Sequence, residues 1–105
     1  MNFIAIETTY PNLEEAKKLA KILLNKKLAA CVHFNTISSF YSWQGNIENS
    51  QEILLSIKTT ADFFDEISTL IKENHSYQIP QIIAKKIDFL SQDYANWVSN
   101  SLNKN

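Results

Sequence analysis

The residues best suited to chemistry in this chain are one cysteine and two histidines. Cys31 and His33 lie one residue apart within the stretch LAACVHFNTISSFYSWQG, residues 28–45. In an extended strand both side chains lie on one face, with Cα atoms about 7 Å apart. A thiolate and an imidazole suit copper or zinc as ligands. Two donors are too few for a closed site, so the pair would need further ligands from other chains or loops.

Each donor also has a purely structural interpretation. Cysteine is among the most buried residue types, and Cys31 would then be a packed or merely accessible thiol. His75 follows a predicted helix directly, where a histidine faces the helix C-terminus favourably. It becomes a third ligand only if the fold brings its loop to the strand that carries Cys31.

The composition excludes several classes of function. The net charge is −1, with ten lysines, no arginine and no basic run, which argues against nucleic-acid binding. Phe40, Tyr41 and Trp43 could form a base-stacking platform, but a platform needs a cationic groove beside it, so core or interface packing is favoured. A single glycine excludes a glycine-rich phosphate cradle, and no nucleotide-binding or serine-elbow motif is present. The sequence predicts a protein that is not an enzyme.

Cellular location is predicted from cysteine usage and from the N-terminus. One cysteine cannot form an internal disulfide, which favours a reducing compartment. No basic segment followed by an apolar run is found near the N-terminus, and no stretch approaches 18 apolar residues. These observations predict a cytoplasmic protein that does not interact with membranes.

The elements that must position these residues alternate between strands and helices. Apolar periodicity predicts strands at 3–9, 28–45, 52–60 and 81–87, and helices at 13–26, 61–74 and 91–102. Asn12 is the predicted N-cap of the first helix, and Gly45 marks a hairpin turn. The order β-α-β-β-α-β with an extra C-terminal helix predicts one α+β domain over 1–105 with a ferredoxin-like antiparallel sheet.

The long strand at 28–45 is irregular. Its apolar residues lie at even positions up to Phe34 and at odd positions from Ile37 onwards. The change of phase indicates either a β-bulge or a strand buried on different faces along its length. Eighteen residues would reach roughly 60 Å, so we expect the strand to extend past its own domain and to be covered by another subunit.

Several local patterns, taken in order, resemble the CutA family of divalent-cation tolerance proteins. They are Thr8-Thr9, Leu28-Ala29-Ala30-Cys31-Val32, the spacing Ser39-x-Tyr41-x-Trp43-x-Gly45, Glu52-x-Leu54-Leu55-x-Ile57-Lys58-Thr59, His75 with Tyr77 and Pro80, and Tyr94-x-x-Trp97. The resemblance implies a fold similar to the PII signalling proteins, a homotrimer with Tyr41 and Trp43 at its interface, and a role in tolerance of copper and other divalent metals.

The same resemblance implies where the site lies. It places His75 in an intersubunit cleft near Cys31, and it makes Glu52, Lys58 and Tyr77 candidates for a polar ligand cleft. For Glu52 and Lys58 the alternative is a solvated strand edge or an ion pair between chains, worth about 0–1 kcal/mol. The chain departs from the family pattern at three positions, Ser76 for proline, Gln78 for glutamate and His33 for asparagine, and His33 adds a possible ligand.

Three hypotheses follow. The first is a trimeric, non-enzymatic protein of the response to metal ions, with modest Cu(II) or Zn(II) binding at an intersubunit cleft by Cys31, His33 and His75. The second is a PII-like regulatory or scaffold trimer that binds a small ligand or a protein partner. The third, a hydrolase of acylphosphatase type, is suggested by strand order alone and resembles a chemistry that uses an arginine, which this chain lacks.

Overall fold

A four-stranded antiparallel sheet organises the computed structural model, which describes residues 1–104. The strands are β1 (Phe3–Tyr10), β2 (Cys31–Trp43), β3 (Asn46–Thr60) and β4 (Ile83–Lys86), in the spatial order β2-β3-β1-β4. The helices are α1 (Leu13–Asn25), α2 (Phe64–Glu73, after a 3₁₀ turn at Ala61–Phe63) and α3 (Gln92–Ser101). The predicted α+β class and ferredoxin-like order are confirmed. The predicted single domain over 1–105 includes Asn105, which lies outside the described residues, and stays a prediction.

The core lies between α1, α2 and one face of the sheet. Alternate residues of β1 and β3 point into it, and so do the apolar stripes of the two helices, as their spacing predicts. The fully buried side chains at its centre are Ile6, Tyr10, Leu19, Leu23, Leu55, Ile57, Ile67 and Ile71. Cys31 alternates with Val32, which packs against this core, so Cys31 lies on the opposite face of the sheet. The contact between Cys31 and Tyr94 places the start of α3 beside Cys31, and Val98 of the same helix belongs to the buried core.

Local sequence signals explain both ends of α1. The Asn12 side chain accepts a hydrogen bond from the Glu15 amide at 2.9 Å, which confirms the predicted N-cap. At the other end Lys27 has φ of 57° and Leu28 donates its amide to Leu23 O at 2.9 Å, the hydrogen bond of a Schellman motif. The chain from 28 to 30 is thus part of the helix exit, and β2 begins three residues later than predicted.

The β2–β3 hairpin extends far beyond the rest of the sheet. Its register is unbroken from Cys31↔Lys58 to Trp43↔Asn46, so the alternative of a bulge is wrong. Pairing of β1 with β3 stops at Tyr10↔Ile53. The segment Ile37–Glu52, here called the arm, therefore projects as a two-stranded ribbon of roughly 20 Å. The change of apolar phase falls where β2 leaves the four-stranded sheet.

Candidate functional site

The predicted site residues fall into two groups at opposite ends of the sheet. Cys31, His33 and Lys58 lie near the start of β2, where Cys31 pairs with Lys58 across the strands. His75 and Tyr77 lie beside the end of β1, where the His75 ring contacts Thr9 O. Lys58 pairs with Ala5, four residues from Thr9 along β1, a separation of about 13 Å. One chain therefore does not bring His75 to Cys31.

Cys31 is half-buried beneath the first turn of α3. Its Sγ lies 3.5 Å from Tyr94 Oη, and either atom could donate. Ser91 caps this helix by accepting from the Tyr94 amide at 3.2 Å, which fixes the residue at the helix start. The hydrogen bond to Cys31, together with burial, raises the pKa of the Tyr94 phenol to about 12. The thiol is thus partly covered by a neutral phenol rather than exposed on an open face.

His33 is exposed and lies next to a cation. Lys58 Nζ lies 3.5 Å from His33 Nδ1 and 2.9 Å from Ser56 Oγ. Because an ammonium group only donates, the imidazole nitrogen that faces it must offer its lone pair. A metal ion bound by His33 would compete with Lys58 for that nitrogen or would use Nε2. The site as folded is therefore not preorganised for a metal ion.

His75 has both ring nitrogens engaged within the chain. Nε2 lies 2.7 Å from Thr9 O and must donate to it, while Nδ1 accepts from the Tyr77 amide at 3.0 Å. The ring stacks on Tyr10, with centroids 4.1 Å apart and planes at 18°. The partners define a neutral imidazole with its proton on Nε2. In this conformation His75 anchors the loop after α2 and has no lone pair for a metal ion.

Tyr77 contacts Glu52 directly. The family resemblance made both residues candidates for a polar ligand cleft. The Tyr77 hydroxyl donates to Glu52 Oε2 at 2.7 Å, and the glutamate is only 7% exposed. Burial and the hydrogen bond to Glu52 raise the pKa of Tyr77 above its ordinary value near 10. Lys58 does not take part, because six residues of β3, roughly 20 Å, separate it from Glu52.

These two residues line a cleft of about 630 Å³ between the arm and the loop after α2. Its walls are Thr9, Ser39, Phe40, Tyr41, Ser42, Trp43, Glu52, Ser76, Tyr77, Gln78, Ile79, Pro80 and Gln81. Sequence reasoning assigned Tyr41 and Trp43 to a trimer interface and did not find Ile79 or Gln81. The alternate positions of Ser39, Tyr41 and Trp43 indicate that these three side chains lie on one face of β2 and could form one wall of a cleft. No pattern in the neighbouring sequence indicates that a distant loop packs opposite that face.

Ser76 and Gln78, the two departures from the family pattern in the loop after α2, have different consequences. The Ser76 amide and hydroxyl both donate to the Glu15 carboxylate, at 2.8 and 3.1 Å. Proline, the usual family residue, has no amide hydrogen to donate, so this chain ties the loop to α1 in a way that the usual residue could not. Gln78 lies in the cleft wall, where a glutamate would add a second negative charge beside Glu52.

The described residues of one chain do not form a complete metal site. Within residues 1–104 no three histidine, cysteine, aspartate or glutamate side chains are grouped closely enough to hold a metal ion. A structural zinc site has four protein ligands and a catalytic site three. The residues of one chain therefore fit at most part of a metal site.

Comparison with known proteins gives a consistent result. Residues 4–101 match the family described as "CutA1 divalent ion tolerance protein". A divalent-cation tolerance protein CutA from Archaeoglobus fulgidus is 42% identical over 101 residues, 96% of this chain and 97% of that protein. The crystal structure of CutA1 from Oryza sativa superposes with a TM-score of 0.95 at 36% identity, covering 100% of this chain and 97% of the other. CutA1 from Pyrococcus horikoshii gives 0.92 at 36% identity, over 96% and 99%.

The predicted cytoplasmic location is wrong by the same comparisons. A similar solved structure, from Archaeoglobus fulgidus, is described as a periplasmic divalent cation tolerance protein, and the Arabidopsis thaliana relative is described as chloroplastic. A lone cysteine argues only against an internal disulfide, so it could not assign a compartment. Within the described part of the chain, none of the helices has the length and apolar character needed to cross a membrane.

Proposed function

The chain belongs to the CutA1 family of divalent-ion tolerance proteins, and from this premise we propose that it is a non-enzymatic homotrimer that serves in the response to metal ions. In this proposal Cu(II) or Zn(II) binds modestly where subunits meet. The observation that supports the proposal is the pair Cys31 and His33, a thiol and an imidazole on one face of β2.

Two donors from one chain make an incomplete metal site, so the proposed affinity for Cu(II) or Zn(II) is modest. Each chain offers one thiol and one imidazole, and Lys58 competes for the nitrogen of that imidazole. Further ligands would come from water or from another subunit. Copper and zinc accept such mixed sulfur and nitrogen donors, and a thiol binds either metal as the thiolate.

Calorimetric titration with Cu(II) and with Zn(II) tests the site. Cys31→Ser and His33→Ala should each weaken binding about tenfold or more, because losing even a hydrogen-bond partner of a ligand typically costs about 10–100-fold in metal affinity. His75→Gln serves as the third variant and should bind as the wild type does, because its ring nitrogens are engaged with Thr9 O and the Tyr77 amide. Equal binding by wild type, Cys31→Ser and His33→Ala would reject this site.

Trimer formation is supported by the arm. Apolar side chains on it are exposed in the single chain, with Phe40 at 74% and Ile47 at 80%, and among residues 1–104 no strand pairs with the outer edge of β2. A long unpaired strand with exposed apolar residues favours pairing with another chain. Tyr41 and Trp43 belong to the same arm, so the cleft that they border would lie at the boundary between subunits.

A second candidate function is a PII-like regulatory or scaffold trimer that acts through a small ligand or a protein partner. The cleft of about 630 Å³ favours it, because this volume lies in the range of small-molecule sites. Melting-temperature shifts with a panel of metabolites would test it. A response to metal ions alone would count against this candidate.

A further inference from the structure

Among the described residues, the cleft between the arm and the loop after α2 is lined by one carboxylate and by no basic side chain. Of its thirteen lining residues one is a carboxylate, Glu52, and none is lysine or histidine. A second carboxylate, Glu15, holds the same loop through Ser76. The walls thus combine one anionic group with neutral polar and aromatic side chains.

Glu52 is the unusual member of this set. It is 7% exposed, and its described hydrogen-bond partner is a neutral phenol, Tyr77. In the described chain the one carboxylate–ammonium pair within ion-pair distance is Glu7 with Lys85. A buried carboxylate is costly unless a cation or several donors compensate it. Among the described residues of one chain, the cleft therefore holds no positive charge that would balance Glu52.

The surroundings select the kind of cation. Four aromatic side chains, Phe40, Tyr41, Trp43 and Tyr77, line the cleft. Aromatic faces attract organic ammonium groups, and quaternary ammonium ligands are bound in proteins by such rings. A divalent metal ion is disfavoured in the cleft, because a zinc site has at least three protein ligands. Among residues 1–104 no three histidine, cysteine, aspartate or glutamate side chains are grouped closely enough to hold one.

From these observations we infer that the cleft binds a small organic ammonium cation, with Glu52 balancing its charge and Tyr41, Trp43 and Tyr77 providing aromatic walls. Gln78 and Gln81 supply neutral hydrogen-bonding groups along the cleft, so the remainder of the ligand can be polar. This assignment rests on the second candidate function and names the ligand class for it.

The two tryptophans allow a direct test on the assembled protein. Trp43 lines the cleft and Trp97 lies on α3, so Trp97→Phe leaves a single fluorophore at the site. The probes are choline and its neutral carbon isostere 3,3-dimethyl-1-butanol, titrated at constant ionic strength. Choline should change Trp43 emission saturably, and the isostere should bind at least about tenfold more weakly, because it lacks the charge.

A matched pair of variants identifies the carboxylate. Glu52→Gln should weaken choline binding at least about tenfold. Glu66→Gln removes the same charge from an exposed position in the first turn of α2, outside the cleft wall, and should leave binding unchanged. Circular dichroism verifies that both variants fold. Equal effects of the two substitutions would overturn the role of Glu52.

The outcomes separate this inference from the candidate function on which it rests. Equal binding of choline and of the isostere would overturn the cationic ligand class and leave a small-ligand cleft standing. No saturable response to choline, as expected if a lysine of a neighbouring copy occupies the cleft, would overturn the inference. The metabolite panel tests the regulatory function independently.

Discussion

At the scale of single residues, hydrogen-bond partners decide what each candidate side chain can do. The sequence offers His75 as a metal ligand, but Thr9 O and the Tyr77 amide use both of its nitrogens. Lys58 and Tyr77 were candidates for one cleft, yet Tyr77 meets Glu52 and Lys58 meets His33. The residue types could be read from the sequence, whereas these pairings depend on which strands and loops are neighbours.

The Tyr77–Glu52 contact gives the first prediction. Tyr77→Phe removes the described hydrogen-bond donor to a buried carboxylate, so the free energy of unfolding should fall by about 1–3 kcal/mol. Tyr41→Phe is the matched control, because its hydroxyl lies 3.4 Å from Ser50 Oγ at an exposed position and should contribute within about 0.5 kcal/mol. Urea denaturation measures both. Equal losses would mean that the contact with Glu52 does not stabilise the fold.

The raised phenol pKa values predict how stability depends on pH. Tyr10, Tyr77 and Tyr94 have pKa values above the ordinary value near 10, chiefly from burial for the first two and from the Cys31 hydrogen bond for Tyr94. The unfolded chain loses these protons first, near pH 10. Their stabilising contribution is therefore complete below about pH 10 and is lost as pH rises towards the folded values.

Denaturation at a series of alkaline pH values checks this dependence. The free energy of unfolding should decline above about pH 10, and Tyr94→Phe should make the decline shallower up to about pH 12, the folded value for Tyr94. A Tyr94→Phe profile that is parallel to that of the wild type would contradict the assigned cause.

At the scale of elements, the β2–β3 hairpin depends on a two-residue turn. Gln44 and Gly45 have φ of 50° and 81°, the positive values of a type I′ turn. A Cβ added at Gly45 would meet nothing within 4 Å, so any effect of Gly45→Ala comes from the backbone alone. The sequence identified this turn through its single glycine.

Gly45→Ala should therefore lower the free energy of unfolding by about 1–2 kcal/mol, the cost of a left-handed conformation for a residue with a Cβ. Gln44→Asn changes the neighbouring position to a residue that tolerates positive φ and should be neutral or slightly stabilising. Thermal denaturation of both variants provides the comparison. An unchanged Gly45→Ala protein would indicate that the turn adopts another conformation in solution.

At the scale of the whole molecule, the arm and its exposed apolar residues predict assembly. Replacing Phe40 and Ile47 together by serine should weaken association more than tenfold, because each buried apolar side chain is worth about 1.5–3 kcal/mol. Phe89→Ser is the control, since Phe89 is 95% exposed in the segment between β4 and α3, away from the arm. Light scattering at low micromolar concentration measures the mass. A stable wild-type monomer would refute the proposed trimer.

The sequence by itself determined the elements, because helix caps, turns and apolar periodicity act between residues close in the chain. It predicted the Asn12 cap, the Gly45 turn and the ferredoxin-like strand order, and its motifs identified the family. Only the tertiary structure decided that Cys31 and His75 lie apart and that the arm faces the loop after α2 across a cleft. Such contacts depend on how far β2 extends past β1 and on where a loop packs. Local patterns of residue type do not encode those distances.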